Sequence, residues 1–572
     1  MHLGFSTGLF AAMVATGAVA QSFGVPPPGS PIPRMAPREP PATAPPAAIP
    51  QPDRGTQDVP DVPVAVRAIA FVGVTAFPEA ELAARAQGLI GAATPLPAIA
   101  AARQAILDMY RDRGFVFVQV DAVVDPSGVL RFMVIEGRIV EVKLDGDIGP
   151  AGTQVLRFLS HLVGETPLNV ASLERWLLLA QDIPGVSVRS VLRPTGTDPG
   201  ALALIAQVAR KPFSGSILAD NRSYRLTGPQ QGIGTLAANS FTEFGERSEI
   251  QYYLSDGGTQ HFLQGAVEAF LGGSGLRLRL YAGQGSSHPS GTLRQIGYAG
   301  DNKLLGAQLS YPLIRQRSET LVLSGIFDAT QSEITLTGTD ATPTRVAFDS
   351  LRILRAGIDW ARQDLWAGDS RPGINTVSVR VSQGLDGLGA SSNANPEPVR
   401  AGTRVDFRKY AAELSRVQTL FAPWPEATFG VQGLVAGQWS DDVLPSSEKF
   451  YLGGPRLGRG FYAGEITGDI AFFGSLEFQL SQSFAVDALG DTLILGTQAY
   501  AFLDAGRTWE QEPDDPARRI ASVGLGLRTN WSEHLSFDLE GVRRLTRRPL
   551  GAAQEGGALK EYALYWRIYL RY

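Results

Sequence analysis

The sequence predicts a mainly β protein, a 16-stranded transmembrane antiparallel β-barrel preceded by two small α/β domains. Residues 212–572 contain short runs in which apolar and polar side chains alternate, as they do along membrane strands. Residues 64–211 instead contain two successive sets of strands and helices in the same order. Beyond residue 20 there is no run of about 18 apolar residues, so the chain can cross a membrane only as a closed barrel.

The N-terminus predicts export from the cytoplasm. Residues 1–20 have the pattern of a signal peptide, an apolar stretch of small residues that ends in Ala18-Val19-Ala20. Residues 21–63 are rich in proline, which predicts an extended linker without a core of its own. A short proline-rich plug element is the alternative interpretation of this segment.

The two α/β domains are predicted at residues 64–138 and 139–211. In each, the apolar spacing indicates a strand, two helices and then a pair of strands. In the first domain these elements are predicted at 66–72, 78–89, 99–113, 115–124 and 129–135. In the second they are predicted at 140–144, 154–162, 170–179, 186–192 and 201–208.

Composition and motifs argue against several classes of function. A net charge of −5 does not favour nucleic acid as a partner, and the absence of cysteine excludes disulfides, thiolate metal sites and cysteine nucleophiles. The five histidines lack the spacing of metal ligands, and neither a P-loop nor a G-x-S-x-G elbow occurs. We therefore expect no enzyme activity, no catalytic or metal site and no cofactor.

The C-terminal run shows the barrel pattern most clearly. Between Tyr562 and Tyr572 one face carries apolar side chains and the other carries Arg567 and Arg571. The residues of the apolar face are Tyr562, Leu564, Trp566, Ile568, Leu570 and Tyr572. An apolar face outward and a charged face inward is what a barrel with a wet lumen requires. A soluble β-sandwich or propeller, which would bury the apolar face, is the alternative.

A glycine-rich segment at 452–469 interrupts the strand pattern and is the candidate functional element. It contains Gly453 and Gly454, followed by Arg459, Gly460 and Phe461. A glycine-rich loop can approach a wall closely, and its arginine can form a two-pronged ion pair with a carboxylate. Downstream, Asp504 is the candidate partner. An ordinary surface loop with a solvated arginine remains the alternative.

Several short motifs occur in a fixed order along the chain and carry a family resemblance. They are Asp220-Asn221 with Thr227-Gly228, Asn239, the run 309–315 that contains Tyr311, Pro312, Leu313 and Arg315, Gln438, the run 444–450, Gly453-Gly454 and Arg459-Gly460-Phe461. Together with the upstream repeat, which resembles a pair of POTRA domains, they resemble the TpsB transporters of two-partner secretion, also called haemolysin secretion/activation proteins. The resemblance extends from about residue 64 to the C-terminus.

The resemblance implies roles for individual residues. The loop at 452–469 would fold back into the barrel, where Arg459 would meet an inner-wall group made by Phe502, Asp504 and Gly506. Strand parity permits this contact, because an acid at 504 is costly facing lipid. One departure is Gly458, which stands where the family usually has valine. In a dry lumen, losing one partner of this pair would cost several kcal/mol; in a wet lumen, less than about 1 kcal/mol.

As a function, the resemblance implies transport without nucleotide hydrolysis. We expect a monomeric protein of the Gram-negative outer membrane, in contact with its lipid, whose POTRA domains lie in the periplasm. Its partner would be a TpsA-like exoprotein, captured unfolded along a sheet edge and passed through the barrel to the cell surface. The alternative is that the POTRA domains act only as spacers. Two further alternatives are an outer-membrane protein insertase or assembly factor and a passive porin.

Overall fold

The computed structural model describes most of the chain beyond residue 61. The described residues are 62–196, 198–337, 342–368, 371–488, 491–512, 515–531, 534–551 and 557–572. The predicted signal peptide at 1–20 and the predicted linker up to residue 61 lie outside them. None of the described helices is long and apolar enough to cross a membrane.

The first α/β module is a three-stranded sheet covered by helices. Its elements are β1 (Pro63–Val66), β2 (Ala68–Val72), α1 (Glu79–Arg85), β3 (Gly91–Pro95), α2 (Leu96–Asp112), β4 (Val118–Val124) and β5 (Val129–Glu136). The sheet has the order β2-β5-β4, and β1 pairs with β3 in a separate small sheet. Along α2, Ile99, Ala102 and Ile106 share one face and are buried in one apolar cluster with Phe132.

The second module repeats this arrangement directly after Gly137. Its elements are β6 (Arg138–Asp145), α3 (Ala151–Leu159), α4 (Val170–Gln181), β7 (Val186–Pro194) and β8 (Ala201–Arg210), with a 3₁₀ turn at Ser160–Leu162. The sheet order is β6-β8-β7. The modules are also tied by backbone bonds, since Val170 N donates to Gly114 O at 2.9 Å and Leu168 N donates to Gly137 O at 2.8 Å.

Within the described residues, sixteen antiparallel strands close into a barrel. These strands are β9 (Phe213–Asp220), β10 (Gln231–Asn239), β11 (Arg247–Ser255), β12 (Gln260–Phe270), β13 (Arg277–Ser287), β14 (Tyr298–Arg315), β15 (Glu319–Thr337), β16 (Pro343–Asp364), β17 (Gly373–Gly384), β18 (Arg408–Phe421), β19 (Ala427–Ser440), β22 (Ile470–Ala488), β23 (Asp491–Trp509), β24 (Arg518–Trp531), β25 (Leu535–Arg544) and β26 (Tyr562–Arg571). Two short strands, β20 (Phe450–Leu452) and β21 (Ile466–Gly468), form a separate hairpin. Short helical turns lie at Arg225–Thr227, Asp256–Gly258, Thr292–Gln295 and Ser446–Glu448.

The barrel wall alternates as a membrane barrel requires. On β22, Phe472 and Leu476 are exposed on the outer face, whereas Glu477 on the inner face is buried. Aromatic side chains mark both ends of the apolar band: Tyr410 pairs across strands with Trp439 at one end, and Trp424 is exposed at the other.

We call the end nearest the α/β modules the module end and the opposite end the far end. Strands reach 22 residues, longer than the roughly ten residues that suffice to cross a membrane, because hairpins continue beyond this band.

The first and last strands close the barrel with a short seam. Strand β26 pairs with β9 over five residue pairs, from Arg567 opposite Asp220 to Arg571 opposite Ser216. Two backbone bonds between Gly215 and Tyr572 extend the seam. The outer-facing Trp566 has no strand partner on this side; its backbone N–H instead donates to the side chain of Asn221 at 2.9 Å.

The Tyr311–Arg315 motif lies where the second module meets the barrel. At the end of β14, the Arg315 guanidinium binds both carboxylate oxygens of Asp182 at 2.9 Å. From α4, Arg175 donates to the carbonyls of Pro312 and Leu313 and to the hydroxyl of Tyr311, at 3.0–3.3 Å. This docking contact fixes the second module against the module end of the barrel.

A buried carboxylate holds the first module together. The side chain of Glu136, at the end of β5, accepts hydrogen bonds from the backbone of Thr75 and Ala76 at 2.9 and 3.1 Å. The Tyr110 hydroxyl donates to it at 2.7 Å, and the Thr75 hydroxyl donates as well. Burial by itself raises the pKa of the Glu136 carboxyl, but these hydrogen bonds outweigh burial and hold the pKa below its ordinary value.

Replacing Glu136 with glutamine is expected to destabilise the first module at neutral pH by about 2 kcal/mol, because bonds to a charged acceptor are lost. A depressed pKa means that the ionised carboxylate stabilises the fold above about pH 4.5 and that this contribution is lost on acidification below it. Hydrogen exchange of peptides from 62–137 in the full-length protein measures the effect. The difference between Glu136→Gln and wild type should shrink as pH falls.

The matched control is Glu79→Gln, which neutralises an exposed carboxylate at the start of α1. Exchange in this control should follow wild type at every pH. Identical exchange in Glu136→Gln and Glu79→Gln would contradict the role given to Glu136.

Candidate functional site: the loop inside the barrel

The connection between β19 and β22, residues 441–469, folds into the barrel. Its β20–β21 hairpin packs against the inner wall, with Leu452 and Ile466 in one buried cluster with wall residues such as Phe473 and Ile520. Gly453 and Gly454 both have positive φ, 110° and 100°. These glycines let the chain turn back towards the wall.

The turn immediately before the arginine depends on Gly458. Its φ is +114°, a conformation in which a β-branched residue is strained, and an added Cβ would lie 2.5 Å from the Ile520 side chain. Gly458 is the position at which the sequence departs from the valine that the family resemblance implies. The loop conformation of this chain therefore requires glycine at position 458.

Arg459 contacts the wall through its backbone and its side chain. Asp504 accepts hydrogen bonds from Arg459 N at 2.9 Å, from Nε at 3.0 Å and from Nη2 at 2.8 Å. The guanidinium also lies 3.7 Å from the centroid of the Phe502 ring. Arg459 is 5% exposed and Asp504 is 1% exposed, so this is a buried ion pair rather than a solvated one.

A second acid and a second arginine complete the charge cluster. Arg459 Nη1 donates to Glu477, which also binds Arg528 at 2.6 and 3.1 Å. The Ser475 hydroxyl donates to Asp504 at 2.8 Å. Two arginines thus face two carboxylates, and each charge in this buried cluster is balanced.

Gly460 and Phe461 bring the loop against the last strands of the barrel. The Gly460 carbonyl accepts from Arg544 Nε at 2.5 Å and from the Tyr565 hydroxyl at 3.1 Å. A Cβ at Gly460 would lie 2.5 Å from the Ser522 side chain, so only glycine fits this close approach. Phe461 is fully buried in the cluster of Leu452 and its wall neighbours.

The loop also reaches the opposite wall, so it crosses the lumen. Ala463, which is 1% exposed, belongs to a buried cluster with Ile233, Tyr253 and Phe262 on β10–β12. On another side, Arg456 forms an ion pair with Glu413 of β18. The loop therefore touches strands from several parts of the barrel wall.

Ion pairs also fix the root of the loop at the far end. The carboxylate of Asp469, just before β22, binds both terminal nitrogens of Arg400 at 2.7 and 3.0 Å. The same carboxylate accepts from the backbone of Leu444 and Gln511. Because Asp469 is 0% exposed, the point where the chain re-enters the wall is held rigidly.

The structure brings together the residues singled out in the loop and on the wall. Arg459 and Asp504 are in contact, Phe502 lies beside the guanidinium, and Leu452 lies over Gly506, where a Cβ would come within 2.7 Å of it. The motif at 311–315 and the terminal residues Trp566 and Tyr572 lie elsewhere, at the docking contact and the seam.

Sequence reasoning missed most of the cluster around the arginine. The residues it missed are Glu477, Ser475, Arg528, Arg544 and Tyr565. A signal existed for the first two, because both lie on the inward parity of the strand that follows the loop. No sequence signal links Arg528 to them, since that contact exists only after the barrel closes.

The fold and this site define a class of protein. A closed barrel with an apolar outer face, a loop bound to a charged inner wall and α/β modules at one end is an outer-membrane β-barrel with POTRA-type modules. The chain belongs to the family described as Haemolysin secretion/activation protein ShlB/FhaC/HecB, which matches residues 203–529. Residues 64–137 match the POTRA domain, ShlB-type. It is therefore an outer-membrane transporter of the two-partner secretion family, which is not a family of enzymes, and the predicted family is confirmed.

Curated relatives and solved structures agree with this assignment. The heme/hemopexin transporter protein HuxB of Haemophilus influenzae (strain 86-028NP) is 22% identical over 420 residues, 72% of this chain and 71% of the relative. The outer membrane transporter CdiB of Dickeya dadantii (strain 3937) is 22% identical over 419 residues, 71% of this chain and 69% of the relative. The solved structure of CdiB from Escherichia coli superposes with a TM-score of 0.70 at 21% identity, covering 93% and 94% of the two chains. This likeness confirms the predicted fold class.

Neutralising the two acids should loosen the loop to different degrees. Asp504→Asn removes the carboxylate that accepts three bonds from Arg459, so we expect the protection of loop amides to fall by about 3 kcal/mol. Glu477→Gln removes one contact with Arg459 and mainly leaves Arg528 without its carboxylate partner. The protection of loop amides should therefore fall by less than in Asp504→Asn. Hydrogen exchange of peptides covering 452–469 measures both.

The control for both variants is Glu249→Gln, which neutralises another inward-facing acid that is paired with Arg247 and Arg279. Its carboxylate lies on β11, away from the charge cluster, so loop exchange should match wild type. An equal loss of loop protection in all three variants would show that loop exchange depends on the overall stability of the barrel and not on the Arg459–Asp504 ion pair.

Proposed function

We propose that the chain recognises an unfolded partner exoprotein with its periplasmic modules and passes it through the barrel lumen to the cell surface without nucleotide hydrolysis. The partner is a TpsA-like protein, exported as an extended chain. Capture uses a sheet edge of the modules, to which an extended peptide adds as a further strand. The observation that carries this proposal is the loop around Arg459, which crosses an otherwise polar lumen.

The polar lumen supports passage of a polypeptide. Inward-facing side chains of the wall include Gln479, Gln498 and Arg528, which can exchange hydrogen bonds with a moving backbone. An extended chain brings unpaired backbone groups, and such groups need polar surroundings in a space closed off from bulk water. The wall supplies those surroundings along strands that lipid contacts on the outside.

The loop has to move away from its contacts in the lumen for the client to pass. It contacts the wall at Asp504 on one side and near Tyr253 on the other, so both contacts lie across the path. Because the charge cluster is buried, movement of the loop away from the wall leaves several charges without their partners at the same time. The loop therefore has one well-defined closed state to which it can return after each transport event.

The modules offer edges for capture. In the first module β2 and β4 are the outer strands of the sheet, and in the second β6 and β7 are. Val123 on β4 and Val191 on β7 are exposed apolar side chains at these edges. An extended client adds main-chain hydrogen bonds at such an edge and places alternate side chains against exposed apolar residues. The driving force for export is then folding of the client outside.

Arg459→Ala is expected to lower secretion of the partner by about tenfold or more while leaving barrel abundance unchanged. Without its anchor, worth about 3 kcal/mol as a buried pair, the loop occupies the lumen in many arrangements and obstructs the path. Mass spectrometry of culture supernatants measures secretion, and the heat-modifiable band of the membrane fraction measures folded barrel. Arg507→Ala, which removes an exposed arginine from β23, is the matched control. Unchanged secretion in Arg459→Ala would remove the loop from the mechanism.

Deleting residues 64–211 is expected to abolish secretion while a folded barrel remains in the membrane. The barrel closes through its own strand pairs, so its assembly does not need the module sheets. The same two readouts apply. Continued export by the shortened chain would mean that the modules act as spacers.

An outer-membrane protein insertase is the second candidate, and the short β26–β9 seam favours it. The seam pairs five residues, whereas β9 pairs eight with β10. An insertase would release clients sideways through this seam into lipid. Mass spectrometry of the membrane fraction separates the two functions, since loss of an insertase depletes other barrels and loss of a secretion transporter leaves them unchanged.

A further inference from the structure

The far part of strand β26 lies beyond the end of β9. Strand β9 ends at Asp220, which is opposite Arg567, whereas β26 already begins at Tyr562. Among the described strands, only β25 pairs with residues 562–566. Leu564 in this stretch is exposed on the outer face of the barrel. The second edge of residues 562–566 therefore lies in a wall that faces the membrane, where unpaired backbone groups are costly.

The side chain of Asn221 occupies this edge. Asn221 follows the last residue of β9, and its amide nitrogen donates to Leu564 O at 3.0 Å. Its amide oxygen accepts from Trp566 N at 2.9 Å. A neighbouring strand would satisfy the same two groups with one backbone N–H and one backbone C=O. A primary amide has both a donor and an acceptor on one short side chain, so Asn221 takes the place of a strand at these two groups.

A local turn explains why β9 does not continue. The Asp220 carboxylate accepts from Arg222 N at 2.8 Å, and this bond turns the chain into the lumen. The buried Arg222 guanidinium forms an ion pair with Glu540 of β25 at 3.3 Å and lies 4.0 Å from the centroid of the Tyr565 ring. Arg222 therefore joins the β9 side of the seam to β25 and β26 from within the barrel.

The loop at 441–469 contacts both sides of the same seam. On the β9 side, Ala463 N donates to Arg222 O at 3.3 Å. On the β26 side, the Tyr565 hydroxyl donates to Gly460 O at 3.1 Å. The loop thus holds the two sides of the seam together in the lumen, and these contacts are lost whenever the loop moves away from the wall.

The contacts of Asn221 differ from those of an ordinary turn residue. Asparagine often begins a turn by bonding to its own backbone two residues further on. Here the carboxylate of Asp220 makes that local bond. Both polar atoms of the Asn221 side chain instead bind β26, on the other side of the seam. The geometry therefore favours a role across the seam over a role in shaping the turn.

We propose that Asn221 is a positioning residue that keeps the far part of the seam closed when the loop leaves the wall. With the loop in place, the loop contacts and the Asn221 amide hold the same stretch of seam. After the loop has moved, the amide and the buried Arg222 still connect the two sides. Asn221 thereby determines whether loop movement opens the barrel along its axis alone or also sideways into lipid. The proposal shares with the proposed function only the movement of the loop, and it does not require that a polypeptide passes.

A reversible crosslink across the seam makes the proposal testable, because the chain has no cysteine of its own. Gly215 and Tyr572 exchange two backbone hydrogen bonds, at 3.1 and 2.9 Å. The adjacent pair, Ser216 and Arg571, is therefore a non-hydrogen-bonded pair, in which the two side chains come close enough for a disulfide. Every variant carries Ser216→Cys and Arg571→Cys in the full-length protein, and each is compared with and without reductant in lipid nanodiscs.

Hydrogen exchange of peptides covering 567–572 measures separation of the paired part of the seam. These amides lie beyond the two groups that Asn221 itself binds, so loss of its own bonds alone does not register there. Asn221→Ala removes the amide contact, and Asp504→Asn loosens the loop. In reduced protein the two changes together should raise exchange by about tenfold more than the product of their single effects, because either contact alone still holds the seam. Oxidation should abolish this excess.

Two further variants separate the amide contact from general effects. Asn221→Asp has the same shape as asparagine but lacks the donor for Leu564 O, so it should behave as Asn221→Ala does. Asn375→Ala is the matched control, because it removes an amide that bonds within the paired strands β16 and β17. It should add nothing to the effect of Asp504→Asn on 567–572.

Tyr565→Phe gives an independent way to weaken the contact between loop and seam. It removes the hydroxyl that binds Gly460 O and leaves Asp504 in place. Combined with Asn221→Ala, it should produce the same excess exchange in 567–572. The outcome therefore does not depend on whether Asp504→Asn folds, which heat modifiability on a gel reports.

Three results would overturn the proposal. Independent, non-synergistic effects of Asn221→Ala with both Asp504→Asn and Tyr565→Phe would mean that Asn221 does not act together with the loop. An equal excess with Asn375→Ala would mean that the exchange reflects general loss of barrel stability. Excess exchange that persists after oxidation would mean that the strands of the seam do not separate.

Discussion

The ion pair between Arg459 and Asp504 is the interaction on which the closed state of the barrel depends. Both groups are almost completely shielded from water, so neither can lose its partner without leaving a charge stranded. Glu477 and Arg528 extend the pair into a neutral cluster of four charges. The loop is therefore held by electrostatics that tolerate few alternative arrangements, and its glycines permit the backbone to reach the wall at all.

The same separation of polar and apolar surfaces organises the rest of the molecule. Many charges inside the barrel are paired, as with Arg355 and Glu448 at 2.9 Å, because unpaired charges in a confined space are costly. Outside, the wall is apolar between aromatic side chains at its two ends. At that end Arg315 and Asp182 fix the second module to the barrel. In the proposed function, capture, passage and membrane contact use three different surfaces of this structure.

Much of the fold followed from periodicity. Alternation predicted the barrel, and helical spacing predicted elements such as α2, since both patterns are local properties of the chain. The small β1–β3 sheet was missed, because strands of four and five residues form only where tertiary neighbours support them. Several strands are also longer than the roughly ten residues that crossing a membrane requires. How far a hairpin continues past the membrane depends on partners such as the β15–β16 pair, and alternation within one strand does not report that.

By itself, the sequence determined the class of fold, the family and the parity that turns Asp504 towards the lumen. Only the tertiary structure decided that Arg459 faces two acids, that the ion pair is buried and that the loop reaches the opposite wall. Parity is fixed by the backbone of each strand, so it can be deduced residue by residue. Which charges meet, and whether water reaches them, depends on the closure of strands that lie far apart in the chain, and no local pattern encodes that closure.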